Sequence, residues 1–153
     1  MVTGARVIHI SDLHTHEKND NKVIEDSIAW LTIEAKPEDT VIVTGDVTDD
    51  GTPGQYAKAL GLLLPLAAAG VRMVICKGNH DQGKMGCAYS KESDLEFKAF
   101  VGALGARGVD PYGPIAVLNI DTCIKSWWWG DFAQGRLGAW NARKIKKFGA
   151  YCA

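Results

Sequence analysis

The sequence predicts an α/β fold, on three observations. Short β-branched runs alternate along the chain with longer amphipathic segments. Those runs are too short and too apolar for amphipathic helices and suit strands buried in a sheet. Three polar clusters each follow directly after such a run, where ligands gather in open α/β sheets.

Taken in order, Val7 to Ile10 is the first strand. A helix is expected from about Lys22 to Ala35, because Ile24, Ile28, Leu31 and Ala35 share one face while Glu25, Asp26 and Glu34 lie elsewhere; Pro37 marks its end. Val41 to Val43 is the second strand. Thr52 caps the second helix, Pro53 suits its first position and Gln55 completes a capping-box pattern, while Pro65 should kink or end it and Gly70 closes it. Val71 to Cys76 is the third strand. Ser93 and Glu96 form a second capping-box pattern ahead of Phe97, Phe100, Val101 and Leu104, and the loop from Gly105 to Gly113 follows. Ile115 to Ile120 is the fourth strand. The last helix, near Leu137 to Phe148, sets Leu137, Trp140, Ile145 and Phe148 against Arg136, Arg143, Lys144, Lys146 and Lys147. Ala150 to Ala153 then reads as the opening of another strand.

The 153 residues suit one domain, and 46% hydrophobic with 23% charged content excludes a disordered chain. Lys+Arg 17 against Asp+Glu 18 leaves a net charge of -1, so overall charge gives no reason to expect a nucleic-acid partner. Ala59 to Cys76 is broken by Gly61, Pro65 and Gly70 and carries Arg72, so no membrane span is expected there. The start lacks the pattern of a secretory signal, which leads to a cytoplasmic expectation. Cys76, Cys87, Cys123 and Cys152 form no C-x-x-C pair, which excludes a zinc ribbon and leaves reduced structural thiols.

The chemistry lies in the three clusters: Asp12 and His14, then Asp46 and Asp49, then Asn79, His80 and Asp81. On neighbouring strands they converge into a patch of carboxylates, imidazoles and an amide with almost no lysine nearby. Such a patch repels itself unless cations bind it. Donors of this kind without thiolate suit Mn²⁺, Fe²⁺/Fe³⁺ or Zn²⁺, and Asp46, nearest its strand, is the natural bridge between two ions. Two divalent ions roughly 3.5 to 4 Å apart can hold a nucleophilic hydroxide and clamp a phosphoryl oxygen. His80 would then protonate the leaving oxygen, with Asp81 holding its ring.

Ser11-Asp12-Leu13-His14, Gly45-Asp46-Val47-Thr48-Asp49 and Gly78-Asn79-His80-Asp81 resemble the D-x-H, G-D-x-x-D and G-N-H-D/E blocks of the calcineurin-like metallophosphoesterases. The resemblance implies a layered α-β-β-α sandwich, with Asp12, His14 and Asp46 on one metal and Asp46 and Asn79 on the second. It implies His80 as the general acid that meets the phosphate, with Asp49 and Asp81 behind the ligands. Asp49 to Pro53, with Gln55 and Tyr56, is most similar to the branch that includes class III cyclic-nucleotide phosphodiesterases. The implied partner is therefore a small-molecule phosphoester, with a cyclic nucleotide or another phosphodiester among the candidates. Asn119 to Thr122 and Gly135 to Leu137 with Trp140 continue the resemblance.

Two later segments of that family, a strand ending in histidine and a G-H-x-H loop, are not matched here. The only histidines are His9, His14, His16 and His80. The expectation is thus one domain over residues 1–153, cut short on its C-terminal side, with hydrolysis of a phosphodiester or phosphomonoester impaired in this chain. A fold retained for binding or scaffolding is the alternative.

Several features have plainer explanations. Asp12, Asp46 and Asn79 are residue types that favour strand-to-helix turns in any case. His9 alternates with Ile8 and Ile10, as a packed histidine would, and His16 reads as a loop residue near enough to contact substrate. Asp12 to His16 also resembles the opening H-x-H of the PHP phosphoesterases, which leaves the Gly45 and Gly78 blocks unexplained. Gly78 to Lys84 satisfies G-x-x-x-x-G-K, but Met85 stands where Ser or Thr would bind Mg²⁺. Trp127, Trp128 and Trp129 suit burial better than base stacking, and the basic residues of the last helix suit a solvated face.

Overall fold

The computed structural model describes residues 4–18, 21–84, 88–106, 109–110, 115–125 and 135–152. Trp127 to Trp129 lie outside them.

The fold is α/β, built on a parallel sheet of β1 (Val7–Ile10), β2 (Thr40–Thr44) and β3 (Arg72–Cys76) in that spatial order. Val7 stands opposite Thr40, and Thr40 opposite Arg72, so the three C-terminal ends lie level. That alignment brings the three polar loops together.

Helix α1 (Lys22–Glu34) connects β1 to β2 and α2 (Pro53–Ala68) connects β2 to β3. Two crossovers of the same hand place both helices on one face, where they pack together. Helix α3 (Lys91–Ala103) packs against α2, with the Tyr56 ring 6.3 Å from Phe97 and 5.6 Å from Phe100. The core between sheet and helices follows from the two periodicities. Val41 and Val43 of β2 alternate with the half-buried Ile42, while Ile28 and Leu31 of α1 and Ala59, Leu63 and Leu66 of α2 recur at helical spacing.

The second helix runs through Pro65 instead of ending there. Pro65 and Gly61 both lie on the exposed side, where water can replace the one helical hydrogen bond that proline removes. Gly70, at φ +78°, closes the segment: its N–H reaches the Ala67 carbonyl at 3.0 Å and the Val71 N–H reaches Leu66 at 3.2 Å. In α3 the cap is Ser90, whose hydroxyl accepts the Ser93 N–H at 3.2 Å, so the helix starts three residues before the predicted Ser93.

Beyond α3 the expectations need more correction. Within the segment Ile115 to Ile120 only Val117–Leu118 (β5) is a strand, paired antiparallel with Val109–Asp110 (β4) and not with the main sheet. The segment is tied to β3 by side chains: Asn119 Nδ2 donates to the Ile75 carbonyl at 2.7 Å, and Arg72 donates to the Ile115 carbonyl at 3.2 Å. A ladder is the usual outcome for an apolar run, but here a side-chain amide takes the backbone acceptor. Helix α4 spans Ala139–Cys152, so residues 150–152 continue a helix and do not open a strand. No Pro interrupts that segment, and helix formers such as Ala and Lys carry it past Gly149.

Among the described residues the fold is thus one parallel sheet, one two-stranded ribbon and four helices, an incomplete form of the expected sandwich. None of these helices is long and apolar enough to cross a membrane.

Candidate metal centre

Past their last paired residues, β1 and β2 stay zipped by backbone hydrogen bonds. Asp12 N–H donates to the Gly45 carbonyl at 3.2 Å, His14 N–H to Asp46 at 2.9 Å and Thr15 N–H to Val47 at 3.0 Å. Thr15 is fully buried, and its hydroxyl also donates to the Val47 carbonyl, at 2.8 Å. The two loops therefore reach the site as a pair.

Within that zipper Asp12, His14 and Asp46 have positive φ, at 56°, 41° and 49°. A left-handed non-glycine residue costs backbone energy and persists only where its surroundings hold it. Among the described residues these three are the only non-glycine ones with positive φ, and all three are predicted ligands. Sequence reasoning missed this strain. Its one available signal was that Asp and His are among the residue types least opposed to the left-handed region.

The loops after β2 and β3 meet at Gly45 and Gly78. A Cβ on Gly45, at φ +89°, would sit 2.8 Å from the Gly78 Cα, and one on Gly78 would overlap the Asp46 carboxylate. Glycine at both positions lets the Asp46 carboxylate approach the Gly78 loop, where its Oδ1 accepts the His80 N–H at 3.0 Å.

The structure brings together His14, Asp46 and His80, whose ring nitrogens and carboxylate oxygen lie within 4.8 Å of one another. The two imidazoles meet edge to face, centroids 4.6 Å apart. Asp12 is at the open rim, 64% exposed, with Oδ1 4.0 Å from His14 Nε2. Asn79 sits at the start of the 3₁₀ turn His80–Gln82, and its carbonyl accepts the Gln82 N–H at 3.2 Å.

Asp49 holds both rings. Its Oδ1 lies 3.2 Å from His14 Nδ1, and its carbonyl lies 2.7 Å from His80 Nδ1. Each contact favours a proton on Nδ1 and leaves the Nε2 lone pair for an ion or a transferred proton.

Asp81 differs from its expected place. Its carboxylate is fully buried and accepts the Thr48 N–H and hydroxyl, each at 3.0 Å, the Val47 N–H at 3.3 Å and the Gly78 N–H at 2.9 Å. These contacts occupy it, and the His80 ring is held by the Asp49 carbonyl instead. Burial pushes the Asp81 carboxyl above the usual carboxylate range, while its four donors pull it back. Tyr56 donates its hydroxyl to the Asp81 carbonyl at 2.9 Å, and burial first and then the Asp81 charge raise the phenol's pKa.

His16, Asp49 and Asp50 form a second group with atoms within 4.8 Å. His16 Nδ1 accepts the Lys18 N–H at 3.1 Å, which puts the neutral ring's proton on Nε2 and offers a donor where an ion needs a lone pair. His9 is occupied elsewhere, its Nε2 2.7 Å from the Thr44 hydroxyl.

Carboxylate, imidazole and amide donors at the ends of three parallel strands, with two histidines fixed through Nδ1, are chemically suited to divalent ions of the Mn²⁺, Fe²⁺ or Zn²⁺ kind. The chain belongs to the calcineurin-like phosphoesterase family, which its residues 5–135 match. That family hydrolyses phosphoesters with divalent metal ions. Among curated relatives, the SbcD component of the nuclease SbcCD from Escherichia coli K12 is 34% identical over 84 residues, covering 50% of this chain and 21% of its own length. A protein of Arcobacter nitrofigilis named "Probable glycerophosphodiester phosphodiesterase GpdQ" is 28% identical over 153 residues, covering 93% of this chain and 52% of its own. The chain thus spans about a fifth and about half the length of these two relatives.

Proposed function

We propose that this chain carries the Asp12, His14, Asp46, Asn79 and His80 part of a two-metal centre that hydrolyses a small-molecule phosphodiester or phosphomonoester. The observation that carries the reading is the convergence of His14, Asp46 and His80 within 4.8 Å at the ends of adjacent parallel strands. Family membership and the phosphodiesterase name of the relative aligned along 93% of the chain support it.

In this reading Asp12, His14 and Asp46 would hold one ion, and Asp46 and Asn79 would hold the second. When bound, such ions supply Lewis acidity toward a phosphoryl oxygen and lower the pKa of water. Asp49 aims both rings. His80, with Nδ1 fixed on the Asp49 carbonyl, presents Nε2 as the atom from which a proton passes to the leaving oxygen. Of the four histidines, His9 is bound to Thr44 and the Nδ1 lone pair of His16 is taken by the Lys18 N–H, so this reading uses His14 and His80 as its imidazoles. Metal binding with low turnover is the expected behaviour of the isolated chain. A cytosolic setting, where Cys76 and Cys123 stay reduced, suits the free thiols of both.

The test is calorimetric titration with Mn²⁺, Fe²⁺ and Zn²⁺, followed by hydrolysis of a chromogenic bis-phosphodiester and the matching monoester. Asp46→Asn should abolish metal binding, and His80→Ala should remove turnover with a smaller loss of binding. Wild-type protein that is folded yet binds none of the three ions would sink the reading.

A further inference from the structure

The loops after β2 and β3 exchange carboxylates. Asp46, on the β2 loop, accepts the His80 N–H of the β3 loop at 3.0 Å. Asp81, on the β3 loop, accepts three donors of the β2 loop, the N–H groups of Val47 and Thr48 and the Thr48 hydroxyl. Its fourth donor, Gly78 N–H, lies in its own loop and fixes the turn that carries Asn79 and His80. The Tyr56 hydroxyl, from α2, holds the Asp81 backbone from behind.

The two carboxylates differ in what they leave free. Asp46 belongs to the His14 and His80 cluster and is partly exposed, whereas Asp81 is 0% exposed with both oxygens doubly occupied. A buried carboxylate is costly unless its acceptor sites are filled, and here they are filled by the loops whose spacing sets the centre.

Resting on the reading of the preceding subsection, we propose that Asp81 is a positioning residue which sets the separation of the Asp46 loop from the Asn79–His80 loop without touching ion or substrate. Its carboxylate works through all four donors at once. An amide could not replace it, because an NH₂ group would face the N–H donors of Val47 and Gly78 or of Thr48. Outer partners that orient ligands typically change metal affinity by about 10- to 100-fold when removed.

The 153-residue chain is tested as wild type, Asp81→Asn, the milder Thr48→Val, and Leu63→Ala as a control that weakens the core of α2 away from the loops. Two quantities are read: Mn²⁺ affinity by calorimetry, and the nuclear Overhauser contact between the His14 and His80 rings in metal-free protein. Asp81→Asn should bind Mn²⁺ at least tenfold more weakly and lose the ring contact, Thr48→Val should show the same two changes in smaller degree, and Leu63→Ala should keep both within twofold. If Asp81→Asn does not fold, Thr48→Val decides. Equal losses in Leu63→Ala, or an unchanged ring contact in the folded Asp81 and Thr48 variants, would overturn the proposal. A wild type that shows the ring contact but binds no Mn²⁺ defeats the metal-centre reading alone, and the ring contact then judges the clamp by itself.

Discussion

The part of the chain up to Leu104 and the part beyond Val109 are built on different terms. In the first, the paired strands bury Val41, Val43, Val74 and Ile75, and the loop after β2 buries Val47, all at 2% exposure or less, and three helices cover one face. In the second, the described residues hold two strands of two residues each that pair with one another, and Trp140 and Ile145 of helix α4 are 64% and 43% exposed, as is Leu137 just before it at 57%. The only side chain of α4 that counts as buried among the described residues is polar, Asn141, whose Nδ2 donates to the Asp121 carbonyl at 2.7 Å. Every residue of the candidate centre lies in the first part. A site that demands left-handed backbone at three positions sits where the surrounding structure can hold it.

The sharpest way to break the comparison is to remove bulk from each part. Leu63 is fully buried between α2 and the sheet, so Leu63→Ala should cost about 2–5 kcal/mol by lost transfer energy and the cavity left behind. Trp140→Ala removes a larger side chain, but one in water with Lys144 Nζ 4.0 Å from its ring, and should change stability by no more than about 0.5 kcal/mol. Urea unfolding of both variants decides it. A Trp140→Ala loss as large as that of Leu63→Ala would mean that α4 is packed in solution.

A smaller effect separates the parts by pH. Asp39 is 1% exposed and joins the start of β1 to the turn before β2: it accepts the Arg6 backbone N–H at 3.0 Å, the Arg6 guanidinium and the Lys36 N–H at 2.9 Å. The Arg6 hydrogen bonds, partly opposed by burial, hold its carboxyl well below the usual carboxylate range. A depressed acid gives stability that is fully present above the unfolded value of about 4 and is lost as pH falls through the folded value. Asp39→Asn should therefore lower the urea midpoint at pH 7, with the gap to wild type closing as pH drops below about 4. A gap unchanged down to pH 3 would show that the carboxylate's charge is not what matters.

How much was legible in the sequence divides along the same line. Val7–Ile10 was found with its bounds, β2, β3 and α1 were found to within a residue or two, and α2 was found at its capped start, because each is an apolar run or stripe whose period matches what it buries. The convergence of His14, Asp46 and His80 followed from strand ends alone. The pairing of Asp81 did not: adjacency in Asn79-His80-Asp81 suggests a ring partner, whereas the 3₁₀ turn at His80–Gln82 sends neighbouring side chains in different directions. Ile115 to Ile120 misled for another reason. An apolar run predicts burial, but whether it joins the main sheet depends on which backbone groups are free, and Asn119 had already taken the Ile75 carbonyl.

The smallest of the expected effects concerns how the first part ties its loops to its helices. Thr52 Oγ1 accepts the Gln55 N–H at 3.3 Å as the cap of α2, and it donates to Glu17 Oε1 at 2.9 Å, which links the loop after β1 to that helix. Thr52→Ala removes both bonds and should cost about 1 kcal/mol, the usual value of a lost cap. Thr52→Ser keeps the hydroxyl and should cost a few tenths at most. The exposed Glu17 contact adds little by itself, so Glu17→Ala, which removes the acceptor, should change stability by about 0.5 kcal/mol or less. If Glu17→Ala instead matched Thr52→Ala, the loop tie and not the helix cap would be the stabilising bond, and the His16 to Glu17 segment would belong to the rigid frame of the centre.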